Sequence, residues 1–280
     1  MKEMIKDEII RFTSENKGNW SAATNDHYYD EPLVKFISAD DFLFGDYKKL
    51  IYPELLTPKE AFELAFGQGT YSGGSVISIV LPINEKIRIS NRSQTKQPSK
   101  EWALFNSFGH LFLTTLSKHI EDYLNKKGYR TIAPSVAEWF VVKPFGPDQI
   151  LGSNWSERHV AYAASLGTFS LNEGFISEKG IAVRLASVVT ELKLTPDSKT
   201  DKHHTANCLF CSMGTCGACI KRCPAGALSK EGHDKMKCRN FAYGEKMKEL
   251  VVSYGGKPGT SAGCSLCQTN VPCEFRNPIR

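Results

Sequence analysis

Residues 208–224 read CLFCSMGTCGACIKRCP, five cysteines in seventeen positions with the last followed by proline. Four more follow at Cys238, Cys264, Cys267 and Cys273, whereas residues 1–207 have none. A disulfide framework would be spread through a secreted fold. Nine cysteines crowded into one end, behind an N-terminus that does not read as a secretory leader, point instead to metal thiolates in a reducing compartment.

The spacing narrows the metal. Cys216-x2-Cys219-x3-Cys223-Pro224 is the run in which closely spaced thiolates hold corners of one iron–sulfur cube while the cysteine before proline crosses to a second. Proline suits that exit because it fixes φ and removes a backbone donor. Zinc is the competing reading, since Cys216/Cys219 with Cys264/Cys267 could form a four-thiolate site and Cys208/Cys211 offers another pair. Zinc leaves Cys223, Cys238 and Cys273 together unexplained. Radical chemistry on S-adenosylmethionine needs C-x3-C-x2-C, and Gly226 stands where its last cysteine would be. The crossover rule assigns Cys223, Cys238, Cys264 and Cys267 to one cube. Cys216, Cys219, Cys273 and either Cys208 or Cys211 hold the other, and local spacing leans towards Cys211.

The rest of the chain sets the frame. Thirty-five Lys and Arg against 30 Asp and Glu give a net charge of +5, mild and dispersed, which does not argue for a nucleic-acid binder. MKEMIKDEIIRF mixes acids into its apolar positions and is not read as a signal peptide. SVISIVLPI at 75–83 falls far short of the ~20 apolar residues that span a bilayer. A cytoplasmic protein without membrane association is expected.

Helices are predicted over 1–17, 38–50, 56–67 (Thr57 as N-cap, Pro58 at N1, Gly67 as stop), 99–127 and 154–167, the last capped by Ser156 and ended by Gly167. Residues 73–83 and 181–194 read as strands, as does 129–135, and 196–204 as a linker. An α/β body over 1–200 followed by a metal-binding domain over 201–280 is the expected organisation.

Beyond the cysteines, SNWSERHVAYAASLGTFSLNEGFIS at 153–177, GIAVRLASVVTELKLTP and GYRTIAPSVAEW at 128–139 resemble the superfamily of epoxyqueuosine reductase and the reductive dehalogenases. ADDFLFGDYKKLI, LTPKEAFELAFG, SNWSERH and CLFxxxGTCGAC resemble, more closely still, short epoxyqueuosine reductase-like double-cluster proteins. The resemblance implies an α/β (α+β) nitroreductase-like body with a C-terminal ferredoxin-like domain, two 4Fe–4S clusters, a cobalamin and an oxidoreductase activity. It also favours Cys208 over Cys211 as the first ligand. Asn154, Thr168, Ser170, Asn172, Arg239, Asn240, Gly263 and Ser265 are its implied cofactor contacts.

Two departures from that pattern shape the functional expectation. The reductase's aspartate proton donor, two residues before its Ala-Pro pair, is Thr131 here, which has no carboxylic proton. Tyr129 and Tyr162 are the phenols considered in its place as general acids. The tRNA-binding repeats that follow the clusters are not found, as the sequence ends seven residues after Cys273, so tRNA is not expected as a partner. The expected function is a cobalamin-dependent iron–sulfur reductase of a small molecule, supplied with electrons by a ferredoxin or flavodoxin. The alternatives are an iron–sulfur electron-transfer protein serving a partner, and a flavin-dependent reductase.

Overall fold

The computed structural model describes residues 1–146, 150–200 and 202–279, so Asp201, at the expected domain boundary, lies outside the described residues. At its centre is a four-stranded sheet of β1 (Leu33–Ser38), β2 (Ser75–Pro82), β3 (Thr131–Ile132) and β4 (Val183–Thr190), in the order β1-β2-β4-β3. Every pairing is antiparallel, and Ser187 lies opposite Ser78 in the β2–β4 register. The result is a mixed helix-and-strand fold rather than a parallel α/β sheet.

β2 is buried along its whole length. Its period-2 pleat sends alternate residues into two cores. Val76 and Val80 meet α2 (Phe42–Leu50), α3 (Pro58–Phe66) and α7 (Glu157–Ala163) through Phe44, Phe62 and Val160. Ile77, Ile79 and Leu81 meet α1 (Lys2–Glu15) and α6 (His110–Lys126) through Ile9, Phe112 and Leu116. Helices on both faces explain why the strand is apolar apart from Ser75 and Ser78 and does not alternate.

Local chemistry sets several helix ends. Thr57 and Glu60 form a reciprocal capping box, with Thr57 N–H donating to Glu60 Oε2 at 2.7 Å, and Gly67 ends α3 at φ 104°. Thr57→Ala is expected to cost about 1 kcal/mol in denaturant unfolding. In α7, however, the Ser156 hydroxyl contacts His159 Nδ1 at 2.7 Å and makes no cap hydrogen bond. Gly167 is not the stop either. The chain turns at Ser165, which has φ 55°, and Gly167 begins a short ribbon, Gly167–Phe169 with Phe175–Ser177.

The expected helix over 99–127 is interrupted. It runs as α5 (Lys100–Leu104), a π-helical turn over Phe105–Gly109, and α6. The turn brings Asn106 and Ser107 out to the segment 257–263: Asn106 Nδ2 donates to Ser261 O at 2.8 Å, and Ser107 Oγ shares a hydrogen bond with Thr260 Oγ1 at 2.9 Å. Such turns are often found at functional sites.

The C-terminal stretch is fastened to the body chiefly through α4 (Glu85–Arg92). The buried Glu274 carboxylate accepts from Arg88 at 3.1 Å, Arg92 at 2.8 Å and Asn270 N–H at 2.7 Å. Arg222 donates to the carbonyls of Asn91, Arg92, Gln94, Leu266 and Thr269. No helix among the described residues is long and apolar enough to cross a membrane.

Candidate iron–sulfur and cofactor site

The segments around the cysteines are short helices and turns whose backbone is fixed by the body. Ile181 N–H donates to Cys273 O at 2.8 Å, and Asn172 Nδ2 to Cys267 O at 3.0 Å. Cys208 precedes the short helix Leu209–Met213 and is buried with Ile176, Ile181 and Val271, while Cys211 on that helix is exposed.

Eight of the nine thiols fall into two sets. A small cavity is lined by Cys208, Cys216, Cys219 and Cys273, and not by Cys211. A large cavity of about 1080 Å³ is lined by Cys223, Cys238, Cys264 and Cys267. The electrostatics divide them in nearly the same way. Burial, then the charges of Cys208, Cys219 and Cys216, push the Cys273 thiol up to about 12. Burial, then Cys208 and Cys216, push Cys219 up to about 11. Cys264 is raised to about 11 by burial and by Cys223 and Cys238. Cys267 is raised well above the ordinary thiol value by burial and by Cys264, Cys238, Cys219 and Cys223. The Cys219 contribution shows that the two sets adjoin. Cys211 also feels its neighbours, rising to about 11 through burial and Cys208.

This donor chemistry fits cluster binding. Thiols that repel one another when ionised need a compensating cation, and coordinated iron holds them as thiolates. Among the described residues no three His, Cys, Asp or Glu side chains converge on a single metal ion. A cube, by contrast, takes one thiolate at each of four separate irons. Ala227 N–H already donates to Cys223 Sγ at 3.3 Å. Beside that set, His233 is raised to about 9, mainly by its hydrogen bond to Cys238 and then by Glu173, whose carboxylate lies 3.2 Å from Nδ1.

The large cavity adjoins a second of about 770 Å³, and Asn106, Arg158 and Arg184 line both. Two buried polar groups on these walls lack hydrogen-bond partners: Gln268 Oε1 and the Glu157 carboxyl. Ser187, Ser135 and Trp155 stand near enough to Glu157 to lower its pKa somewhat, yet none is in hydrogen-bonding geometry. Burial dominates, and the group is pushed up to about 7. Gly263, at φ 65°, lies so close to the Asn106 amide that a Cβ would meet it at 3.1 Å. Orphaned polar atoms and a backbone exposed at glycine suit a large polar cofactor held mostly by main chain.

Of the residues singled out from sequence, Asn172, Arg239, Asn240, Gly263 and Ser265 line the large cavity. The others lie elsewhere. Ser170 bonds Asn172 Oδ1 at 2.6 Å and lines the small cavity. Thr168 Oγ1 accepts from Asn207 N–H at 2.9 Å and lines a separate cavity of about 600 Å³. Tyr162 lines that cavity too, its hydroxyl donating to Lys202 O at 2.9 Å. The Asn154 amide braces the 139–141 turn through Trp139 O and Val141 N. Tyr129 gives its carbonyl to the Thr131 hydroxyl, which is buried against Thr190 at 2.8 Å. Sequence reading missed Arg184, although it is the one charge inside IAVRLASVV, and missed Glu157 as a buried acid.

No protein-family model matches the chain. It is 32% identical over 120 residues to an epoxyqueuosine reductase of Bacillus anthracis, covering 42% of this chain and 29% of that protein. It is 24% identical over 283 residues to the epoxyqueuosine reductase of Bacillus subtilis strain 168, covering 96% of this chain and 63% of that one. A solved B. subtilis epoxyqueuosine reductase, with its catalytic aspartate loop swung out of the active site, matches at TM-score 0.54 and 20% identity, over 97% of this chain and 66% of that one. A catabolic reductive dehalogenase in complex with 3-bromo-4-hydroxybenzoic acid matches at TM-score 0.51 and 14% identity, over 88% of this chain and 30% of that one.

The chain is thus similar in sequence to these epoxyqueuosine reductases and shares its fold with the solved epoxyqueuosine reductases and reductive dehalogenase. It spans less than two thirds of the length of the curated relatives it matches. The expectation against tRNA finds no support, because another matching structure is an epoxyqueuosine reductase holding an epoxyqueuosine-modified tRNA-Tyr stem loop.

Proposed function

We propose that this protein is a cobalamin-dependent iron–sulfur oxidoreductase with a nitroreductase-like body and two 4Fe–4S clusters in a ferredoxin-like C-terminal domain over 201–280. The observation that carries the reading is the division of eight thiols into two quartets, one of which opens onto the large cavity. Cys208, Cys216, Cys219 and Cys273 hold the outer cluster in this reading. Cys223, Cys238, Cys264 and Cys267 hold the one beside the cavity. Cys211, absent from the wall of the small cavity, is the spare.

A corrinoid, when bound, supplies one-electron chemistry at cobalt. The chain's own part is to hold and shield it. Asn172, Asn240 and Arg239 offer side-chain hydrogen bonds at the cavity wall, and Gly263 and Ser265 offer main chain with positive φ. The adjoining quartets let electrons enter from a ferredoxin or flavodoxin at the outer cluster and pass inward.

Anaerobic reconstitution with iron, sulfide and cobalamin tests this reading. About eight irons per chain and a retained base-off corrinoid spectrum are expected. A retained flavin would replace the corrinoid in the scheme. Cluster-loaded protein that keeps neither cofactor would reduce the chain to an electron-transfer module.

A further inference from the structure

The walls of the two adjoining cavities carry six cations, Arg158, Arg184, Lys235, Arg239, Lys248 and Lys257, against two carboxyl groups, Glu157 and Glu173. Neither acid balances that charge, and a 4Fe–4S cluster on the four thiolates of the same wall, with a net charge of about −2, offsets only part of it. Glu173 is engaged by His233 and by Lys235, 3.3 Å away, and Glu157 has no ion pair. Burial raises Glu157 to about 7, so its negative charge is reduced below neutral pH. Lys248 pairs outward with Glu245 at 2.6 Å. Among the described residues, Arg158, Arg184, Arg239 and Lys257 have no carboxylate partner.

Two of the four are placed at the seam, since Arg158 and Arg184 line both cavities. Each is held by one hydrogen bond to a carbonyl: Arg158 Nη1 to Glu173 O, and Arg184 Nη1 to Val183 O at 3.0 Å. Arg184 is also seated over the Phe105 ring of the π turn, 5.3 Å from its centroid. Each guanidinium thus keeps several N–H donors uncommitted. Planar, always-charged donors on a cavity wall, Arg184 half-buried and Arg158 exposed, suit oxyanions, which they can bind in a bidentate manner.

Resting on the reductase reading for its place in a reaction, we infer that the recess takes an anionic substrate, whose carboxylate or phosphate group seats on Arg158 and Arg184 at the seam of the two cavities. The reducible part of the substrate then lies towards Cys223, Cys238, Cys264 and Cys267. Lys257, on the wall of the second cavity, adds attraction and raises the rate of capture without fixing geometry.

Calorimetric titration of the full cluster-loaded chain with benzoate, inorganic phosphate and the neutral isostere benzamide tests this inference without needing turnover. At least one anion should bind saturably and weaken steeply with salt, while benzamide does not bind. Arg184→Gln and Arg158→Gln should each weaken the anion at least about tenfold, the scale of a lost charge-assisted hydrogen bond. Arg184→Lys, which keeps the charge, should recover part of the loss and so separate binding from misfolding. Which anion binds distinguishes a carboxylate from a phosphate substrate. Failure of both anions to bind, benzamide binding as well as benzoate, or unchanged affinity in Arg184→Gln would overturn the inference. Cofactor retention, read separately from the visible spectrum, shows whether the reductase reading has failed instead.

Discussion

Cys267→Ala is expected to remove the cluster beside the cavity, lowering iron from about eight to about four per chain, and to abolish any reduction routed through it. Burial and the neighbouring thiols Cys264, Cys238, Cys219 and Cys223 raise its thiol well above the ordinary value, and it lines the large cavity. No spare cysteine stands near it, because Cys211 belongs with the other set. Cys208→Ala should cost the outer cluster alone, whereas Cys211→Ala should leave all the iron in place. Iron and acid-labile sulfide assays, with electron paramagnetic resonance of the dithionite-reduced protein, check all three. Loss of a cluster in Cys211→Ala with both clusters intact in Cys208→Ala would reverse the assignment. The geometry behind the prediction is that Cys208, not Cys211, lines the cavity shared with Cys216, Cys219 and Cys273.

Part of the proposed cysteine partition rests on local spacing, since Cys216, Cys219 and Cys223-Pro224 lie within nine residues, but that spacing leans towards Cys211 where the small cavity is lined by Cys208. The buried strand at 75–82 was legible for a similar reason, since a short run rich in Val and Ile has few other uses. The strand Leu33–Ser38 was not. It follows a stretch rich in Asn, Asp and Tyr and is strand only because β2 offers it a ladder, with Phe36 opposite Ile77. The π turn at 105–109 was equally hidden, as its cause is a distant segment, 257–263, that accepts Asn106 and Ser107. From sequence, Glu157 is only the first residue of a helix capped by Ser156. Tertiary packing instead carried it under the sheet, beside Ser187. Arg158 and Arg184 share the cavity seam although 26 positions separate them, a relation no local pattern encodes.

Glu157→Gln should change how stability depends on pH by about 3 kcal/mol, and the sign follows from which state holds the proton. Burial raises the folded-state value from 4.5 to about 7. Between those limits the folded chain keeps a proton that the unfolded chain has released, so this group makes stability fall as pH rises through the window and then level off. About 2.5 pH units at 1.36 kcal/mol each sets the size of the effect. Two residues along, His159 acts in the opposite direction. Burial, with Arg158 and Lys235, lowers it from 6.5 to about 3, so the unfolded chain binds the extra proton and stability rises with pH up to about 6.5. Between about pH 4.5 and 6.5 the two slopes oppose one another, and the wild type should respond only weakly to pH through this pair. Glu157→Gln keeps the side-chain volume and removes the acid, exposing the His159 slope: the variant should gain stability relative to wild type as pH rises from about 4.5 to 7. Urea denaturation of the full chain across that range measures the difference directly. Parallel wild-type and variant curves would mean that Glu157 is ionised in the folded protein. The recess would then hold a fixed negative charge beside Arg184, and its excess of cations would be smaller by one.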